Sequence, residues 1–556
     1  MKYFSCISGG LCLLLMSMNV IGQHEEVRVI KPYTPTLSGA EKIQLLPSLE
    51  EEIAYDTPDF SYSIFQKRYD TEFRITPIVA ARMIQMPKKK LYRSHLKAGL
   101  GNCLTPYVEL NINQMRSRNG TMGFNLRHHS MNGKVKLDND ERVPGGFNEN
   151  DAEFYGSRFF RNSLLNYQTG ASYNSNVHYG VDPDLDTTFL RKDFTHPYFT
   201  AFGGIGLQSV HADTFHLNYK GSLKYHYFTH EFNETEHGVV FDLAMNKSLR
   251  IFNIAGDLNT SYFAHVPAWD TIMPRHLIVS LNPRIEKNAG EWKFVAGFNT
   301  YLDIRDGSPM FHIYPKARFE FNIVEEVIIP YFGVDGYLET NNYRAVVDEN
   351  PYINPALAVK PTSHRLIAFA GLKGRFTEAV AWNIKGQYAI IDDQYYFVND
   401  TSGILKNQFS VIYDDLTLLN LKGELAVRPN DAWKIFLKGN YYHYNMVRED
   451  HPWHQPGFDV ILQARYNLRE KFIIDAGLGV IGPRYAKDID ISGAIPVIVN
   501  EKLPMTPDIN LGVEYRYTKL LSFWIRIDNL AAQRYYLYHQ YPSYRFRFMA
   551  GFGYVL

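Results

Sequence analysis

The sequence predicts an all-β protein, a large antiparallel transmembrane β-barrel of about 22 strands (range 20 to 24) with a short extended N-terminal arm. Three observations carry this. The C-terminal stretch SYRFRFMAGFGYVL alternates without a break, with Phe546, Phe548, Ala550, Phe552, Tyr554 and Leu556 on one face and Arg545, Arg547, Gly551 and Gly553 on the other. That is a strand with one apolar and one polar side, ending on an apolar residue. The same alternation recurs along most of the chain, while no stretch beyond the first residues approaches the ~20 apolar residues of a membrane helix. Finally, 39 Tyr and 36 Phe coexist with a mean hydropathy of −0.27, as expected of a wall with aromatic girdles around a wet lumen.

Residues 1–22 read as a cleavable export signal. Lys2 supplies the positive charge, and Leu11, Leu13, Leu14, Leu15 and Met16 form an apolar run ending near Val20, Ile21 and Gly22. Neither Cys6 nor Cys12 closes that run behind a small residue, which excludes a lipoprotein. Both leave with the signal, so Cys103 is the only thiol of the mature chain and the strand ladder must hold the fold without a disulfide.

Residues 23–90 differ in character. Pro32, Pro35, Pro47, Pro58, Pro77 and Pro87 punctuate them, Glu50, Glu51 and Glu52 interrupt them, and no alternating run appears before Tyr92. They read as an extended arm on the periplasmic side or in the lumen, although such a composition also suits an unstructured tail.

Residues 91–556 form the expected barrel. Val108, Leu110 and Ile112 alternate with Glu109, Asn111 and Asn113; Arg118, Asn119 and Gly120 make a tight turn; Met122, Phe124 and Leu126 then alternate with Asn125 and Arg127. Asn-Gly between alternating runs is a strong hairpin signal. Similar runs stand at 419–427, 433–437, 472–480, 509–517 and 523–527, with short polar turns at Arg428–Asp431 and Thr518–Lys519. Longer polar connections are expected at 131–151, 230–237, 340–362, 392–407 and 447–457. Short turns at one end and long loops at the other are the asymmetry of an outer-membrane barrel. A soluble all-β array would instead carry charge on its outward faces, whereas here one face of most runs is wholly apolar.

Charge and motifs exclude several functions. Lys plus Arg number 58 and Asp plus Glu 58, so no basic field favours nucleic acid. His451-Pro-Trp-His454 reads as an exposed aromatic loop rather than a metal site, since no Cys or carboxylate completes a tetrahedral set. Asp138, Asp140, Glu141, Glu149 and Asp151 read as a solvated acidic loop without EF-hand spacing. His129 and Ser130, adjacent in a strand, point to opposite faces and make a poor nucleophile pair. Gly99/Gly101, Gly477/Gly479 and Gly551/Gly553 lie within strands, where the wall bends or packs, not in phosphate loops. No catalytic residue, cofactor or metal is expected. The polar faces place Glu109, Arg127, Lys422, Glu424, Glu514, Arg516, Arg526, Asp528, Arg545 and Arg547 toward the lumen, as internal salt bridges or as the charge a permeant meets. Arg526, Asp528, Arg545 and Arg547 fall near the seam, where they should pair across neighbouring strands.

The C-terminal region resembles the barrel end of TonB-dependent receptors. LPMTPDINLGVEYRY (503–517) is similar to the antepenultimate strand, and Ile525-Arg-Ile-Asp-Asn-Leu530 to the strand ending in Asn-Leu. Arg534, Tyr535 and Tyr536 follow, and then the closing strand from Tyr544. Glu349-Asn-Pro-Tyr-Ile-Asn-Pro355 is similar to the family's Asn-Pro loop before a strand, here 364–375. The resemblance implies transport of a solute across the outer membrane. The family's plug domain is longer than residues 23–90, so the expectation is a plugless relative. Glu25, Glu26, Val27, Arg28 and Val29 stand where a TonB box would and could add as a strand to TonB. Expected partners are outer-membrane lipid and lipopolysaccharide, the barrel-assembly machinery, and TonB or a periplasmic or surface protein docked through residues 24–90. That last possibility also opens a different reading, a non-transporting anchor or assembly factor.

Overall fold

The computed structural model describes residues 92–556, apart from 115–116, 182–189, 211–215, 232–233, 267–273, 325, 355–356, 358, 401–402, 404 and 491–496. The signal, the arm and the TonB-box-like segment lie outside the described residues.

Twenty-two antiparallel strands form one closed sheet. In chain order the first eleven are β1 (Ser94–Gly101), β2 (Thr105–Gln114), β3 (Gly120–Met131), β4 (Phe147–Phe159), β5 (Ser163–Val177), β6 (Thr195–Ser209), β7 (Asn218–His230), β8 (Thr235–Ser248), β9 (Asn253–Val266), β10 (Arg275–Asn288) and β11 (Trp292–Arg305). The rest are β12 (Ser308–Phe321), β13 (Ile329–Glu339), β14 (Thr362–Thr377), β15 (Val380–Asn399), β16 (Phe409–Val427), β17 (Trp433–Met446), β18 (Phe458–Leu468), β19 (Phe472–Ile481), β20 (Thr506–Arg516), β21 (Leu521–Asp528) and β22 (Arg547–Val555). Each pairs with the next, and β1 closes on β22 from His95↔Val555 to Gly101↔Met549. Closure leaves no free end strand, as a hydrocarbon medium demands, although β12 and β13 pair only from Ala317↔Val334 to Glu320↔Tyr331.

Alternation sorts the side chains. Leu100, Ile205, Leu281, Phe311, Ile384 and Phe552 are exposed on one face, the outward one, and such residues recur at every second position around the wall. The opposite face carries charge and amide. Trp524 occupies that inner face, and the bare Cα atoms of Gly99 and Gly551 make room for its ring; a Cβ at either would collide with it. At Gly477 and Gly479 the nearest atoms are only in van der Waals range, so the glycine pairs serve different local needs.

Both ends of the described chain sit with the short turns, such as those at 289–291, 378–379 and 428–432, which is the periplasmic end of such barrels. The long connections, 132–146, 178–194, 340–361, 447–457, 482–505 and 529–546, share the other end. Two expectations about them are corrected. The first half of the connection expected at 392–407 is strand, because β15 and β16 run 20 and 19 residues and extend beyond the membrane, leaving 400–408 as the loop. The connection at 230–237 shrinks to 231–234 for the same reason. The segments 178–194, 482–505 and 529–546 carry Tyr, Val and Ile at strand-like density and so do not read as loops; two of them hold small hairpins, Arg484–Asp490 with Val497–Leu503 and Tyr536–Tyr538 with Tyr541–Pro542.

The largest apolar core lies among these loops rather than in the wall. Val135, Val143, Tyr179, Phe194, Phe228, Val346, Val347, Phe397, Phe409 and Tyr541 meet there. It joins the hairpin Lys134–Lys136/Arg142–Pro144, the loop after β5, helix α1 (Tyr343–Glu349) and the loop before β22.

Candidate functional site: a charged inner wall beneath a loop cap

The inner wall is organised as short ionic ladders. Arg127 on β3 reaches Asp151 at 2.9 Å and Glu149 at 3.4 Å on β4. Glu109 accepts from the Tyr107 hydroxyl at 2.6 Å and from the Asn111 amide at 2.7 Å. Lys422 meets Glu424 at 2.8 Å, and Asn383 donates to the same carboxylate at 3.1 Å. Arg516 stands 3.6 Å from Glu514. Near the seam Asp528 takes Arg526 at 2.9 Å along its own strand and Arg547 at 3.5 Å across to β22. Arg545 instead lies in the loop just before β22.

The sequence reading missed further members on the same face. Glu320 holds both Arg318 and Lys373, the latter at 3.1 Å, and Arg284 holds Asp257 and Glu286. Their signal was present as charges at alternate positions of β9 to β14, but the apolar half of those runs is interrupted by Gly and Pro. The pairs Lys373–Glu320 and Arg284–Asp257 cross strands, so they need the register that only the fold supplies. The ladders differ in hydration: the side chains of Arg526 and Arg127 are 56% and 46% exposed, whereas those of Lys373 and Glu320 are 12% and 7% exposed. The hydrated pairs contribute little stability individually, while their charge remains available to a solute.

The cap is built differently, from buried polar bonds. Glu236, at the outer end of β8, is buried and accepts from the Asn342 amide at 2.6 Å, the Tyr343 backbone N–H at 2.7 Å and His226 Nε2 at 3.0 Å. One wall carboxylate thereby fixes the start of α1. His178, fully buried, touches the Pro351 carbonyl through Nε2 at 3.0 Å, while its own carbonyl accepts from the Asn407 amide at 3.0 Å. Tyr541 donates to the Asn407 carbonyl at 2.5 Å, and its ring stacks on Tyr352 at 3.8 Å. Tyr538 ties the last loop to the end of α1 by donating to the Glu349 carbonyl at 2.9 Å.

The His451–His454 segment corrects the sequence reading. Trp453 is 1% exposed and His454 is buried, so this is no exposed aromatic loop. Trp453 Nε1 donates to Glu449 at 2.8 Å, and Glu449 also takes Lys487 at 2.7 Å. His454 Nδ1 lies 3.0 Å from the Phe397 carbonyl, while the His539 backbone N–H donates to Nε2 at 3.2 Å. Nδ1 therefore carries the proton and Nε2 accepts, a neutral tautomer fixed on both sides. Burial pushes this imidazole down to about 3. Burial likewise drives His178 well below its ordinary value, helped by neighbouring His196. The acidic loop is not simply solvated either: Asp138 pairs with Arg534 and receives the Tyr536 hydroxyl, Asp140 with Lys136, and Glu149 and Asp151 belong to β4. No cluster of metal-ligating side chains occurs among the described residues.

Against solved structures the barrel is similar to the copper transporter OprC, with a TM-score of 0.62 and 11% identity over 84% of this chain and 80% of that one. It is also similar to the ferric-catecholate import receptor Fiu from K12 E. coli, with a TM-score of 0.60 and 9% identity over 84% and 82%. The pyoverdine outer-membrane receptor FpvA from Pseudomonas aeruginosa PAO1 gives 0.64 and 9% over 84% and 79%. The fold is thus the 22-stranded outer-membrane barrel of TonB-dependent receptors. No protein-family model matches the chain, and no curated protein matches it.

Proposed function

We propose that the protein is a channel or transporter that carries a solute across the outer membrane through its charged lumen, with the loop cap as the outer gate. The observation that carries this reading is the hydrated part of the inner wall, where Arg127 and Arg526 keep charge in water. A barrel that only anchored partners would gain from a filled, apolar interior. The similar folds of a copper transporter and a ferric-catecholate import receptor support the reading by analogy. The ladders mix both signs, so the residues name no solute class. Swelling of proteoliposomes in sugars of graded size tests it. Uptake that rises when the cap is loosened supports transport, and swelling that never exceeds that of protein-free liposomes refutes it.

The apolar closure of the cap favours a second reading, a non-conducting outer-membrane anchor or assembly factor that docks partners through residues 24–90. Deleting those residues separates the two. A transporter that uses them as a gate, or Glu25–Val29 as a contact for TonB, loses control of permeability or its energised uptake. An anchor instead loses a partner in pull-down while permeability stays unchanged.

A further inference from the structure

At the outer end of β4, β5 and β6 the outward face changes from apolar to polar. On β3 and β4 the exposed Met122, Leu126 and Phe154 give way to a hydrogen-bonded row: Ser130 to His128 at 3.2 Å, His128 to Asn150 at 2.7 Å, and Asn150 to Asn148 at 3.1 Å. The register continues that row as Asn148↔Ser175↔Pro197. A face that is apolar below and amide- and hydroxyl-lined above marks the depth at which hydrocarbon meets the headgroups of the outer leaflet.

A hollow of about 590 Å³ opens at that depth, lined by Asn148, Tyr173 and Ser175, with Arg191 and Lys192 reaching it from the turn that leads into β6. Glu231 also lines it, and its carboxylate takes His196 at 2.8 Å. Among the described residues no carboxylate pairs with Arg191 or Lys192, unlike most cations of the inner wall. Two cations beside hydroxyl and amide donors are a phosphate-binding set.

We propose that this hollow binds the phosphorylated headgroup of an outer-leaflet lipid. The occupant is a lipid rather than free phosphate because the hollow sits directly above the apolar wall, so acyl chains can lie against Phe154 and its neighbours while the phosphate meets Arg191 and Lys192. Such a contact seats this sector of the barrel at a fixed depth and covers the loop that enters the cap through His178 and Phe194.

The test is native mass spectrometry of the full-length mature protein in detergent, titrated with diphosphoryl lipid A, with dephosphorylated lipid A, and with inorganic phosphate as competitor. Wild type should retain diphosphoryl lipid A, and Arg191→Gln/Lys192→Gln should retain it about a hundredfold more weakly, each charged phosphate contact being worth about tenfold. The dephosphorylated lipid should bind both proteins equally weakly. Should the double variant fail to fold, judged by loss of heat-modifiable migration, Lys192→Glu at an exposed position serves in its place and should weaken retention in the same direction. Equal retention by wild type and variant, equal retention of the two lipids by wild type, or displacement by millimolar inorganic phosphate alone would overturn the proposal.

Discussion

Glu236 shows how much of the cap rests on single side chains. Its carboxylate satisfies an amide and a backbone N–H from the start of α1 and an imidazole from β7, so Glu236→Ala orphans all three in a buried place. The expected cost is about 3 kcal/mol of cap stability, seen as faster proteolysis within 340–361 while the barrel keeps its heat-modifiable migration; unchanged cleavage would remove Glu236 from the account. His454 gives the cap a pH dependence. Its folded value, about 3, lies below the unfolded 6.5, so the unfolded form binds more protons between them. The stabilisation is complete above pH 6.5, declines as pH falls, and is fully lost below about pH 3, on the order of 5 kcal/mol in total. Acid titration of tryptophan emission should report exposure of Trp453 in that window, and His454→Gln should flatten the response. At this scale the sequence disclosed parity: Glu109, Arg127, Lys422 and Asp528 could be placed on the polar face of their strands by counting alternate residues. It could not disclose that Trp453 and His454 are buried, because the segments that cover them, near Phe397 and His539, lie far away in the chain.

Among the elements, the strands were legible and the cap was not. A strand announces itself locally, by period-two alternation between turn residues, which is why β3, β16, β19, β20 and β22 stand out. The loops after β5 and before β22 carry the same Val and Tyr for another purpose, to bury one another across the mouth, and local pattern cannot separate the two uses. Helix α1 is the shortest such case, seven residues whose Val346 and Val347 are each 1% exposed. Val346→Asp should unseat α1 and open the mouth while leaving the wall intact, raising the sensitivity of cells to large antibiotics that wild type excludes. Unchanged exclusion would mean that the remaining loops seal the mouth without it. At the seam, Gly551→Val should be worse than a typical surface change, by about 2 kcal/mol or more, since its side chain must displace Trp524 or the β1 backbone. Loss of heat-modifiable migration at a lower temperature would show it.

As a whole, the molecule combines a wall that hydrocarbon requires to be closed with a lumen that water keeps charged. The strand number emerged from counting alternating runs and from the even parity of bacterial barrels, and the closed sheet has that number. What the lumen is for depends on whether the mouth opens. The most direct measurement is single-channel conductance of the purified mature protein in planar bilayers, compared with Glu236→Ala/Val346→Asp and with a form lacking residues 24–90. A gated transporter predicts small or no current from the intact protein and stable, larger steps once the cap or the N-terminal segment is removed. Silence from all three forms, with folding verified, would contradict the transport reading and leave the anchor.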